Sequence, residues 1–143
     1  MYAFAPYSPN LIRLRRNVAF NRFKNCVIVP TAVGRTDEPV AFREGKVPGD
    51  GLLRVPCTRL DSYIEQQSAL DIIKMDIEGA EWWVLHGSRE LFRSKRPIVF
   101  LATDGQQVHG RCCSFLEENC YALHFLADDE FIARPVGSSI HAG

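Results

Sequence analysis

Leu70-Asp-Ile-Ile-Lys-Met-Asp-Ile-Glu-Gly-Ala-Glu81 is the stretch that decides how the rest of the chain is read. Asp71 to Met75 is short and apolar enough to predict a buried strand. Asp76 to Gly79 predicts the turn at its carboxyl end, and Ala80 onward predicts a helix. Three carboxylates, Asp76, Glu78 and Glu81, therefore fall where a strand becomes a helix. In open α/β sheets ligands bind at the carboxyl ends of strands, which makes this turn the first place to look for chemistry. In an extended strand Lys74 and Asp76 share a side, so Lys74 is placed to pair with Asp76.

On the C-terminal side, the helix from Ala80 carries Trp82, Trp83, Val84 and Leu85 and breaks at Gly87, with further helical turns through Leu91 and Phe92. Pro97 to Ala102 is a uniformly apolar strand. Val108, Cys112, Phe115 and Leu116 recur at helical spacing and predict a helix from Gln106 to Asn119. Tyr121 to Leu126 and Glu130 to Ala133 are strands joined by Asp128-Asp129, so short a joint that the pair is an antiparallel hairpin. The tail from Val136 to Gly143 is small, polar and expected to fray.

On the N-terminal side, Tyr2 to Ala5 is strand-like and Pro6 ends it. Ser8-Pro9 predicts a helix start, with Ser8 as N-cap, and Leu11, Leu14 and Val18 share one face of a helix to Phe20. Cys26 to Val29 reads as a strand buried on both faces. Val40 to Phe42 and Leu52 to Val55 predict short edge strands around a loose loop rich in Gly and Pro. Thr58 and Asp61 have the spacing of a capping box for a helix through Tyr63, Ile64 and Gln67. Strands alternating with helices predict an α/β fold with a mostly parallel sheet, to which the final hairpin adds one antiparallel strand at the edge.

The length suits a single domain over residues 1–143 that buries roughly two thirds of its unfolded surface. Lys+Arg and Asp+Glu are both 17, so the net charge is zero and there is no footprint for nucleic acid or an anionic membrane. Arg13, Arg15 and Arg16 form the one basic cluster, and a solvated helix face accounts for it. The five cysteines are odd in number and contain no CxxC, which predicts reduced thiols in a cytoplasmic protein. No apolar run is long enough for a membrane span, and the N-terminus has no secretory signal pattern.

With these elements in place, the chain resembles the FkbM-type S-adenosylmethionine-dependent methyltransferases. Asp71 to Glu81 followed by Val84-Leu85-His86-Gly87 is similar to the family's most recognisable segment. Arg59-Leu-Asp-Ser-Tyr-Ile64, Phe4-Ala-Pro6 with Asn17, Thr31-Ala-Val-Gly34 and Arg96-Pro-Ile-Val-Phe-Leu101 fit its neighbouring elements. The resemblance implies a Rossmann-like class I methyltransferase sheet, with S-adenosylmethionine as methyl donor and O-methylation of a hydroxyl on a sugar, lipid-linked glycan or secondary metabolite. It implies catalytic roles for Asp76, Glu78 and Glu81. It places Ala5, Thr31, Ala32, Val33 and Asp76 along the cofactor, with Thr31 to Val33 beside the adenine.

Two departures shape the expectation. The family's opening strand and glycine-rich loop have no counterpart here, which implies an N-terminally truncated domain with an uncovered sheet able to self-associate. Ala5 also stands where the family carries a carboxylate for the cofactor's ribose hydroxyls, and a methyl group accepts no hydrogen bond. The alternative is thus a truncated or degenerate, non-catalytic relative acting as a binding module. A nucleotide-binding module of another α/β class finds no phosphate loop in the sequence.

For a hydroxyl acceptor, methyl transfer needs alignment and a base or metal to unmask the lone pair. Asp76 is the best-placed carboxylate. Glu78 and Glu81 are also explained by the favourable field at a helix start. Oxygen ligands suit Mg²⁺, but the spacing of these three acids is weak evidence and no metal is predicted. His86 and His109 are candidate bases, although a lone histidine on a helix is more often structural. Of Trp82 and Trp83, one is expected in the core and the other against a pocket or neighbour.

Overall fold

The computed structural model describes residues 1–42, 53–64 and 69–137. The fold is mixed α/β, with parallel and antiparallel pairing, and falls into two compact units, Met1–Arg59 and Leu60–Gly143. The loop between the two expected edge strands, the stretch around Gln67 and most of the tail lie outside the described residues.

In the first unit β1 (Tyr2–Phe4) leads through α1 (Ser8–Phe20) to β2 (Val27–Val29), and β1 and β2 pair in parallel. A helix between them is how two parallel strands are joined, since a tight turn cannot return the chain in the same direction. Tyr7, not Ser8, occupies the N-cap, and no side chain caps the helix; Pro9 lies in its first turn. With Tyr7 extended and Pro9 already compatible with helix, Ser8 is drawn inside the first turn. β2 is not buried on both faces. Val29 is buried while Val27 is 51% exposed, because a two-stranded ribbon with α1 against it has only one face to cover.

Next, β3 (Ala32–Val33) pairs in parallel with β6 (Cys57–Thr58), and β4 (Val40–Phe42) pairs antiparallel with β5 (Leu53–Val55). The expected capping box does not form. Thr58 Oγ1 donates to Asp37 Oδ1 at 3.1 Å, and Arg59 binds the same carboxylate through its backbone N–H (2.9 Å) and Nε (2.8 Å). A charged carboxylate carrying a guanidinium outcompetes a single hydroxyl-to-backbone bond.

The second unit contains α2 (Leu60–Ile64), β7 (Ile72–Met75), α3 (Glu81–His86), α4 (Arg89–Ser94), β8 (Ile98–Ala102), α5 (Gln106–Glu118), β9 (Tyr121–Phe125) and β10 (Glu130–Pro135). Its sheet has the order β7-β8-β10-β9. β7 and β8 are parallel, and β10 runs antiparallel to both β8 and β9. The hairpin is therefore present, but β10 lies inside the sheet and β9 takes the edge. Side-chain burial accounts for the order: Phe131 and Ala133 of β10 are buried, whereas Phe125 of β9 is 55% exposed.

β7 is likewise not the buried strand expected. Met75 is buried but Ile72 is 57% exposed, since β8 is the one strand paired with β7 among the described residues. The core of this unit is continuous, with Val84 and Leu85 of α3, Leu91 and Phe92 of α4, Val99 and Leu101 of β8, and Phe115 and Leu116 of α5 all buried. Phe92 meets Phe115 and Tyr121 edge-on, at 5.5 and 5.7 Å between ring centroids, the favoured aromatic geometry. Among the described residues, no helix is long and apolar enough to cross a membrane.

Candidate functional site

The acidic turn leaves β7 through two successive residues in the left-handed region, Glu78 (φ 55°) and Gly79 (φ 97°). Glycine adopts this conformation freely; glutamate does so at some cost. The reversal brings Glu81, at the start of α3, beneath the turn it follows. Glu81 is fully buried, and its Oε1 accepts hydrogen bonds from the backbone N–H groups of Ile77 (3.0 Å) and Gly79 (3.2 Å). Glu81 is thus the latch of the turn. Its second oxygen, Oε2, is buried with no hydrogen-bond partner.

Asp76 and Glu78 remain on the surface. Asp76 Oδ2 lies 3.7 Å from Lys74 Nζ, the pairing that strand geometry implies. With both side chains largely exposed, such a pair contributes at most about 1 kcal/mol and leaves the carboxylate accessible. The turn therefore presents two carboxylates to solvent and holds the third underneath. Among the described residues no three His, Cys, Asp or Glu side chains group closely enough to hold a metal ion.

Ala5 and Thr31 lie in the first unit and are brought together by a single oxygen. The N–H of Ala5 donates to the Val29 carbonyl at 3.0 Å and that of Thr31 to the same carbonyl at 2.9 Å. This ties the carboxyl ends of β1 and β2. Ala32 and Val33 do not stay at the end of β2. They form β3, with the Ala32 N–H on Pro56 O at 2.8 Å. Gly34 follows directly, where an added Cβ would come 3.0 Å from Cys57 Sγ.

Trp82 is half-buried, edge-on to Phe115 at 6.2 Å and to His86 at 5.7 Å. It also lines an open cleft of about 380 Å³ with Arg89, Gln106 and Arg111, so Trp82 is both packed and pocket-facing, while Trp83 is 40% exposed. His109 is engaged on both ring nitrogens, by Thr103 Oγ1 at 2.9 Å and Cys113 Sγ at 3.5 Å. The sequence reads Cys112-Cys113 as suiting a helix rather than a metal clamp, and it marks neither Cys113 nor Thr103 as a partner of His109. The four-residue step from His109 to Cys113 was the available signal for one of them; nothing local marks Thr103. Burial, then the Glu117 carboxylate, push the Cys113 thiol above its ordinary range.

The model of the methyltransferase FkbM domain matches residues 2–126. Among solved structures, a crystal structure of Methyltransferase FkbM from Methylobacillus flagellatus KT superposes with a TM-score of 0.64 at 19% identity, covering 93% of this chain. The chain spans 36% of that protein's length, and at this identity the likeness is one of fold. The comparison with curated proteins finds no match. A family model that covers most of the chain, on a fold shared with that crystal structure, places this protein in the FkbM methyltransferase domain family.

Proposed function

We propose that the chain is an S-adenosylmethionine-dependent methyltransferase domain acting on a hydroxyl of a sugar or secondary metabolite, with Asp76 on the acceptor side. On this reading its sheets are those of a Rossmann-like methyltransferase. One observation carries it: Asp76 stands exposed at the carboxyl end of β7 on a turn that buried Glu81 holds in shape. An exposed carboxylate on a fixed backbone can orient an acceptor hydroxyl and take its proton, a contribution of about 10²–10⁴-fold in rate. Glu81 acts through the turn as a positioning residue, and Glu78 adds negative charge beside it.

The end of β1 does not fit the cofactor's ribose. Ala5 offers a methyl group there, and its N–H is already bonded to the Val29 carbonyl. That same observation favours the second reading, a non-catalytic relative that binds without transferring methyl groups.

Calorimetric titration of the folded chain with S-adenosylhomocysteine separates the two. Saturable heat supports the methyltransferase reading, and Asp76→Asn should then retain binding while losing transfer. No heat at millimolar ligand, with the fold verified by circular dichroism, leaves the non-catalytic reading standing.

A further inference from the structure

His109 and Cys113 lie one turn apart on α5, with Nε2 and Sγ 3.5 Å apart. On the other side of the ring, Nδ1 is 2.9 Å from Thr103 Oγ1, and the Thr103 hydroxyl is 3.1 Å from the Asp129 carbonyl oxygen. A carbonyl oxygen only accepts, so the single hydroxyl proton goes to Asp129. Thr103 Oγ1 then accepts from Nδ1–H, and Nε2 keeps its lone pair toward the thiol. The ring is held edge-on by Phe131 at 5.5 Å and flanked by Phe125 at 5.9 Å. An imidazole anchored through one N–H, with the lone pair of its other nitrogen turned toward a second ligand atom, is how metal-binding histidines are held.

The spacing suits a shared ion. Zinc takes a thiolate sulfur at about 2.3 Å and an imidazole nitrogen at about 2.0–2.1 Å. Across the observed 3.5 Å separation, those bond lengths set an N–metal–S angle of about 107°, close to tetrahedral. His109 and Cys113 are both half-buried, on a helix of 13 residues packed against β9. Glu117, one further turn along, sets its negative charge on the Cys113 thiol, a field that favours a cation there.

We propose that His109 and Cys113 form a two-ligand site for a borderline-soft divalent cation such as Zn²⁺. The other coordination positions are open to water or an external ligand. Structural zinc sites close all four positions with protein atoms; with no third ligand grouped here among the described residues, this one stays open. Binding forms one metal–nitrogen and one metal–sulfur bond and releases the thiol proton to solvent, with no change of oxidation state.

The test is titration with Co²⁺, read by thiolate-to-cobalt absorption in the near ultraviolet and by the visible bands of tetrahedral cobalt. One equivalent should bind and be displaced by Zn²⁺. Cys113→Ser and His109→Gln should each abolish the signal, while Cys120→Ser, which removes an exposed thiol, should keep it. Thermal melts confirm that each variant is folded; Cys113→Ala substitutes if the serine variant is not. No absorption at millimolar Co²⁺ from folded protein, or a signal that survives Cys113 replacement, overturns the proposal.

Discussion

Asp76 and Glu81 are chemically alike and sit in one turn, yet one faces water and the other is sealed from it. Glu81→Ala removes the acceptor for two backbone N–H groups and should destabilise the chain by about 2–4 kcal/mol. Asp76→Asn should stay within about 0.5 kcal/mol of the parent. Urea midpoints of the two variants check this, and equal losses would contradict the division of labour. Cys112, on the helix that packs against α3, is fully buried; burial first, then the Glu81 charge, then Cys113, push its thiol up to about 12. Its folded value exceeds the unfolded one, so its contribution is complete below the ordinary value of 9.0 and is lost as pH rises toward about 12. Burial likewise lifts Tyr121 to about 12, against a smaller opposing effect of Arg96. Stability should therefore fall across this alkaline window, and Cys112→Ala should flatten the fall when urea midpoints are plotted against pH.

At the level of elements, the break between α3 and α4 shows how a helix end is satisfied from a distance. Ser88 precedes α4 but turns its hydroxyl back to the Val84 carbonyl. Asp61 of α2 takes over: its two oxygens accept from the N–H groups of Glu90 (3.2 Å) and Leu91 (2.8 Å). A carboxylate at a helix N-terminus also meets the positive end of the helix field. Asp61→Ala should cost about 1–2 kcal/mol, as loss of an N-cap does. Hydrogen exchange offers the local check: the Glu90 and Leu91 amides should exchange faster, while amides in β9 stay as they were.

For the whole molecule, the two units differ in how much they bury. Among the described residues of Met1–Arg59, the buried apolar side chains are Leu11, Val29, Val55 and Cys57, set among two-stranded sheets. Leu60–Gly143 has a four-stranded sheet and the continuous aromatic and aliphatic core. Isolated two-stranded pairs are marginal in water, whereas three or more strands with an apolar face against helices are not. Leu60–Gly143 produced alone should melt cooperatively, and Met1–Arg59 alone should not. Differential scanning calorimetry distinguishes them, and a broad, non-cooperative trace from the second unit would refute the expectation.

Local chemistry by itself determined the alternation of strands and helices, the turn after Met75, the break at Gly87 and the hairpin at Asp128-Asp129. Each depends on periodicity or on residues a few positions apart. The side of the turn on which a carboxylate falls was also legible for Lys74 and Asp76, because a strand has a period of two. Only the tertiary structure decided that β10 lies between β8 and β9, that β7 is a half-exposed edge, and that Asp61 caps a helix some thirty residues on. It also decided that Glu81 is a buried latch and that Thr103 sets the face His109 turns to Cys113. Strand order, burial and hydrogen-bond partnership depend on which remote surfaces meet, and the identity of a residue's chain neighbours carries no record of that.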